Sequence, residues 1–361
     1  MDSNCIVLDG TYERIGQLIG SHFKDKIREL IHVRKKQFFR EMESQKVTVA
    51  TRDLDEICNE LSRNLQNECS EEYDELKGIA ASSGTLIQDL VFVCGYSDVI
   101  DLYLDKFDAL VPKMENRPSC TSFMAIGSVN SDKLSYGGQT WDMPPDTENY
   151  MIIAIKRPVH DKAFLSVSTV AGLTHIGVNE NGLCIGTNKL VSSDVQEGVF
   201  FSALIQSSLL KNDMSEAKKL ILTARRAAGH NYYLVSKGEG LNIEATARQT
   251  AVDSVRDDIY IHANHYISPK LRPIAIDYSP SSFRRAEAMR EKLVASRERL
   301  CVEDFQSALS MHDGPICRHG EKASFVKTCS GIIFNPESSW MRISFGPPCM
   351  GNWNTYSTES R

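Results

Sequence analysis

Apolar positions recur at helical spacing through the first third of the chain and shift to short β-type runs after residue 120. Ile15, Leu18, Ile19, Phe23, Ile27, Leu30 and Ile31 predict an amphipathic helix that starts after Asp9-Gly10-Thr11. A second helical stretch runs from about Asp53 to Ala81, with Leu54, Ile57, Leu61, Leu65 and Tyr73-Leu76 on one face, and a third from about Ile87 to Phe107. These stripes read as core faces and carry no cofactor role. Beyond Cys120, Phe123–Ile126, Leu134–Gly138, Met151–Ile155 and Phe164–Thr169 are β-rich runs separated by Asn, Asp, Gly and Pro. Asn181-Gly182 marks a hairpin turn between Ile176 and Gly186.

Helical patterns return at about Phe200–Leu210 and Ser215–Ala227. Strands follow at Tyr232–Ser236, Leu241–Ala245 and Ile259–Ala263, and helices at Ser282–Ser296 and Val302–Leu309. Cys329–Phe334 and Trp340–Phe345 close as a hairpin over Asn335-Pro336. Strand pairs separated by helix pairs predict an α+β fold: two stacked antiparallel sheets covered by helices on both outer faces, a four-layer αββα sandwich. Strands and helices do not alternate singly, and no Gly-x-Gly-x-x-Gly opens a helix, which argues against a Rossmann fold. There is no internal repeat, and 361 residues suit either two average domains or one large α/β domain.

Hydrophobic and charged fractions of 42% and 24% fit an ordinary globular chain. A net charge of −6 gives no electrostatic footprint for nucleic acid or an anionic membrane. The basic clusters Arg34-Lys35-Lys36 and Arg284-Arg285 lie in acidic helical patterns and read as solvated helix faces. The N-terminus has no signal-peptide pattern, and no stretch reaches the roughly 18 apolar residues of a membrane span. Ten cysteines are scattered with no Cys-x-x-Cys pair, which favours reduced thiols and argues against structural zinc. The expectation is a cytoplasmic enzyme without metal or cofactor.

One segment stands out. A polar stretch from Lys113 to Pro118 ends at Ser119, and Cys120-Thr121-Ser122 then opens the apolar run Phe123–Ile126. A lone cysteine at such a junction serves either as a small buried hydrophobe or as a nucleophile. Asp142, at the end of a strand, reads as a turn residue or a site residue. Asn264 reads as a local hydrogen-bonder or an oxyanion donor. His262 and His265, three apart in an expected strand, face opposite sides and make a poor metal pair.

Several motifs together break the tie. Gly10-Thr11-Tyr12-Glu13-Arg14-Ile15-Gly16, Cys120-Thr121-Ser122, Gly138-Gln139-Thr140-Trp141-Asp142, His262-Ala263-Asn264-His265, and Ile316-Cys317-Arg318 with Ile332-Ile333-Phe334 occur in order over most of the chain. In that order they resemble the acyl-coenzyme A:isopenicillin N acyltransferase family of N-terminal nucleophile hydrolases. The resemblance implies a zymogen that cuts itself between Ser119 and Cys120 into a helical segment, 1–119, and a sheet-rich segment, 120–361. It implies Cys120 as nucleophile, Asp142 holding the new amino terminus and the cleavage-site geometry, and Asn264 offering its amide to the oxyanion. Trp141, Ser324 and Arg318 are implied as substrate or processing support. Relatives can carry Ser-Arg where this chain has Ser324-Phe325, so a carboxylate-recognising arginine is not carried over.

The chemistry is self-consistent. Nothing around Cys120 matches a papain-type signature, so no distant histidine is called upon. A freed α-amino group, with a pKa of roughly 7.7–8, serves as the base for the thiol beside it. The expected activity is hydrolysis or exchange of the acyl group of a small N-acyl amide through a Cys120 thioester, with no nucleic acid or membrane partner. Two rivals remain: an acyl-coenzyme A-dependent N-acyltransferase, and an unprocessed, non-catalytic binding protein on the same fold.

Overall fold

A computed structural model describes residues 5–107, 119–276, 279, 281–320 and 326–359. Strand β1 (Cys5–Gly10) opens the chain. Helices α1 (Tyr12–His22), α2 (Lys24–Ser44), α3 (Thr51–Glu68), α4 (Ser70–Ser83), α5 (Ile87–Cys94) and α6 (Tyr96–Lys106) follow. The three helical stretches expected from apolar spacing are each divided in two, at Phe23, Cys69 and Gly95. Both halves of each bury residues in one common core, so the apolar stripe runs on through a single non-helical residue.

After Ser119 the chain forms β2 (Ser122–Ala125), β3 (Tyr136–Met143), β4 (Met151–Pro158), β5 (Phe164–Thr169), β6 (Ile176–Asn179) and β7 (Cys184–Lys189). Helices α7 (Phe201–Leu209) and α8 (Met214–Thr223) come next. Strands β8 (His230–Ser236), β9 (Glu239–Ala245), β10 (Thr250–Val255) and β11 (Ile259–His262) follow. Helices α9 (Ser281–Val294) and α10 (Val302–Leu309) precede β12 (Lys327–Asn335), β13 (Trp340–Ser344) and β14 (Trp353–Ser357). An eight-stranded sheet has the order β1-β4-β5-β6-β7-β8-β9-β10, and a six-stranded sheet the order β11-β2-β3-β12-β13-β14.

Alternating side chains of each strand enter different apolar layers, as the pleat requires. Ile152, Phe164, Ile185 and Tyr232 face α1–α8, whereas Ile153, Leu165, Cys184 and Tyr233 face the six-stranded sheet. In that second sheet Met124 and Ile332 point inward, while Phe123 and Ile333 pack on α9 and α10 through Met289, Leu293 and Phe305. The fold is therefore the expected four-layer αββα sandwich.

The N-terminal helices are bound tightly to the sheet. Thr11 caps α1 by accepting from the Arg14 N–H. Gly16 of α1 and Gly78 of α4 allow backbone-to-backbone packing, since a Cβ on Gly16 would lie 2.0 Å from the Glu75 carbonyl oxygen and one on Gly78 2.1 Å from that of Glu13. Glu75 of α4 forms a fully buried ion pair with Lys156 of β4 (2.5 Å), and Gln206 bridges both groups (2.9 Å to each).

Candidate active site

The Ser119–Cys120 peptide lies just ahead of β2, between β3 and the residues after β11, and is gripped from both sides. Ser119 pairs with Asp142 of β3: its N–H donates to the Asp142 carbonyl (3.0 Å), and the Asp142 N–H donates to the Ser119 carbonyl (2.9 Å). On the other side, the Cys120 N–H donates to Asn264 Oδ1 (3.0 Å). Carbonyl and N–H of this one peptide thus each have a fixed partner.

Asp142 is fully buried within β3, so it is not a turn residue. Its Oδ1 accepts from Thr328 Oγ1 (2.7 Å) and its Oδ2 from Ser119 Oγ (3.2 Å). Arg318 Nη1 also donates to Ser119 Oγ (3.1 Å). Burial pushes the Asp142 carboxyl above the usual carboxylate range, against the pull of Arg285, Arg318 and the two hydroxyls. Burial and the Asp142 charge push the Cys120 thiol up to about 12, with a hydrogen bond from Gln139 and the charge of Arg285 opposing. The thiol is neutral near pH 7.

Arg285 was missed by the sequence reading, which placed Arg284-Arg285 on a solvated face. Arg284 is exposed, but Arg285 is fully buried and reaches from α9 into the site. Its Nη1 donates to the Cys120 carbonyl and to Thr121 Oγ1 (2.7 Å each), and its Nη2 to Asn264 Oδ1 (2.9 Å). The signal was present: Arg285, Met289 and Leu293 share one stripe at i, i+4 and i+8, which puts Arg285 on the core face of α9. Arg34 needs the same correction. It lies between Leu30 and Phe38 on the buried stripe of α2 and donates to Asp146 (2.9 Å) and Thr147 Oγ1 (2.7 Å).

Cys120 opens on a narrow cleft with a cavity volume of about 80 Å³. Leu30, Val93, Tyr96, Trp141, Met143 and Phe201 make its walls apolar. Trp141 lines the same cleft as Cys120. The polar groups that reach the cleft are mostly paired: Lys189 with Asp101 (2.6 Å), His230 Nε2 with Asp98 (2.6 Å) and Arg34 with Asp146. Burial lowers His175 to about 4, so that ring is neutral at pH 7.

Other expectations meet different contacts. Asn264 accepts from the Cys120 N–H through Oδ1, while its Nδ2 donates to the Lys189 carbonyl (3.0 Å). His262 and His265 do not face opposite sides. The strand ends at His262 and the chain turns, so the rings stack 6.2 Å apart, His262 on Glu244 (2.8 Å) and His265 on Ser282 (2.7 Å). The scattered cysteines argued against zinc, yet folding brings His312, Cys317, His319 and Cys349 together. Ser324, Phe325 and the polar segment Lys113–Pro118 lie outside the described residues.

The sequence profile of the family described as acyl-coenzyme A:6-aminopenicillanic acid acyl-transferase matches residues 129–349, more than half of the chain. The chain belongs to that family. A comparison with curated proteins finds no match. Among solved structures, the chain is similar to a single-residue variant of conjugated bile acid hydrolase from Clostridium perfringens, at 12% identity, 67% of this chain, 93% of that one and a TM-score of 0.48. A second mutant of the same hydrolase gives 12% identity, 66% and 92% coverage and a TM-score of 0.44. Penicillin V acylase from Agrobacterium tumefaciens gives 13%, 63% and 83%, with a TM-score of 0.39. No helix among the described residues is long and apolar enough to cross a membrane.

Proposed function

We propose that this chain is a self-processing cysteine amidohydrolase. The observation that carries this reading is the double grip on the Ser119–Cys120 peptide, by the Asp142 N–H on its carbonyl and Asn264 Oδ1 on its N–H, beside a buried cysteine at the end of an apolar cleft. The Cys120 sulfur adds to the Ser119 carbonyl carbon, and the oxyanion forms where the Asp142 N–H already donates. The thiol first gives its proton to water; the C–N bond then breaks, its nitrogen takes a proton back from water to become the Cys120 amine, and Ser119 is left as a thioester on Cys120. Water cleaves the thioester, giving a Ser119 carboxylic acid and the free thiol. Arg318 and Asp142 hold the Ser119 side chain during these steps.

In the cleaved enzyme the α-amine takes the thiol proton, and the sulfur attacks an N-acyl amide lying in the cleft. Asn264 Oδ1 and Asp142 hold that amine. The asparagine amide carries two hydrogens, and the one not given to Lys189 serves the acyl oxyanion. The amine product leaves with a proton, and water resolves the acyl thioester. Apolar walls with neutral or paired polar groups suit an uncharged acyl chain. The fragments 1–119 and 120–361 remain one unit, Ser324 supports the site, and ten free thiols suit a reducing, cytoplasmic setting.

The family's name favours one second reading, in which an amine resolves the thioester or acyl-coenzyme A loads it. Incubating the protein with a panel of N-acyl amines, N-acyl amino acids and acyl-coenzyme A, then quenching in acid, separates these outcomes. Hydrolase chemistry predicts an acyl mass on the peptide beginning at Cys120 from the amides; loading from acyl-coenzyme A with thiol release supports transfer. Turnover that survives in Cys120→Ala overturns both. Reversible ligand binding by an intact chain, with no adduct, makes it a binding protein.

A further inference from the structure

We propose that His312, Cys317, His319 and Cys349 form a closed structural site for one zinc-class divalent ion, which fixes the segment carrying Arg318 against Ser119. The four ligand atoms lie within 4.8 Å of one another. They come from separate places: His312 after α10, Cys317 and His319 before β12, and Cys349 in the turn Pro348–Met350. Their contacts converge on a single nitrogen. His319 Nε2 is 3.1 Å from His312 Nε2, 3.2 Å from Cys349 Sγ and 4.0 Å from Cys317 Sγ.

Hydrogen bonding alone accounts poorly for this convergence. An imidazole nitrogen carries one proton or one lone pair, so it satisfies one of three such neighbours well. A metal ion satisfies all of them. With Zn–N near 2.0 Å and Zn–S near 2.3 Å, tetrahedral ligands sit about 3.3 Å (N to N), 3.5 Å (N to S) and 3.8 Å (S to S) apart. The measured separations straddle those values, and a contraction of about one ångström brings the widest pair into range. Two thiolates and two imidazoles, without a carboxylate, favour a zinc-class ion over magnesium or calcium. Binding expels the two thiol protons, leaving a dication balanced by two thiolates.

The position gives the site its consequence. Arg318 lies between two of the ligands, and its guanidinium reaches Ser119 Oγ. Its N–H donates to Thr328 Oγ1 (2.8 Å), which itself donates to Asp142 Oδ1. An ion on Cys317 and His319 anchors this short span from both sides. His312 is exposed, so an ion has a route in and a chelator a route to it.

The test uses the full-length protein without a polyhistidine tag, stripped by chelator and dialysed against zinc or cobalt. The site predicts one metal per chain, with the visible bands of tetrahedral cobalt and a thiolate charge-transfer band. His312→Ala, a change at an exposed position, should weaken zinc binding by about a hundredfold or more, beyond the loss typical of outer-shell changes. Cys349→Ser should remove the charge-transfer intensity of one thiolate. Zinc should also slow backbone hydrogen exchange over residues 311–320 in the wild type and not in His312→Ala. Less than one equivalent of zinc, or variants that bind as the wild type does, would overturn the site. Stoichiometric zinc with unchanged exchange would overturn its anchoring role.

Discussion

The two outer helical layers do different jobs on similar sheets. The layer of α1–α8 covers the eight-stranded sheet with a large apolar core, and the N-terminal segment also contributes β1 to the edge of that sheet, parallel to β4. One of its deep polar contacts, Glu75–Lys156–Gln206, is internal to the packing. The layer of α9 and α10 covers the six-stranded sheet more thinly, and through it Arg285 reaches the Cys120 carbonyl, Thr121 and Asn264. The first layer packs residues 5–107 into the main apolar core. The second brings a buried charge to the Ser119–Cys120 junction.

Replacing Arg285 should break the second layer's contribution most severely. Arg285→Met strips donors from the Cys120 carbonyl and from Asn264, and it should slow cleavage by about a thousandfold, the upper range for loss of one oriented donor. It should also cost about 1–3 kcal/mol in urea unfolding, because buried acceptors lose their donor. Unimpaired cleavage in a folded Arg285→Met protein would detach α9 from the chemistry.

The matching change in the first layer should separate stability from chemistry. Lys156→Met leaves Glu75 charged and buried, a loss of about 3–5 kcal/mol, and Lys156→Met with Glu75→Leu should recover most of it. Cleavage in either variant should stay near the wild-type rate wherever the protein is folded. After cleavage, both fragments should elute in one size-exclusion peak without denaturant. Release of residues 1–119 with activity retained would recast them as a folding aid.

Smaller effects sharpen the site itself. Asn264→Ala should lower turnover by about a hundredfold in protein that still folds, measured as initial rates on the best amide substrate. The pH dependence of cleavage follows from the thiol. With a folded-state value of about 12, its ionised fraction grows tenfold per pH unit, so cleavage should accelerate about tenfold per unit from pH 6 to 9. The same shift stabilises the fold below the unfolded thiol's pKa of about 8.5 and is lost as pH rises from there toward 12. A flat rate profile would remove thiol ionisation from the rate-limiting step.

The strands that bury both faces, such as β4 and β5, were legible because apolar runs bounded by turn residues admit few other readings. Strands β10 and β14 were not, since each lies at a sheet edge with exposed polar residues and little apolar signal. Strand β1 escaped because its short run, Ile6-Val7-Leu8, finds its partner only in β4, far along the chain. Cys120, Asp142 and Asn264 were singled out by motif. What they touch was not legible, because Arg285 enters from a helix 165 residues away in sequence. The metal-ligand group was equally hidden, since its fourth member lies 30 residues beyond His319.

The most direct test is the mass of the purified protein after incubation at neutral pH, for wild type and Cys120→Ala side by side. Cleavage between Ser119 and Cys120 predicts fragments of about 13 and 27 kDa from the 40.4 kDa chain, with the larger beginning at Cys120, and only intact protein in the variant. An intact wild-type chain that nevertheless turns over amides, or a cut at any other bond, would contradict the account.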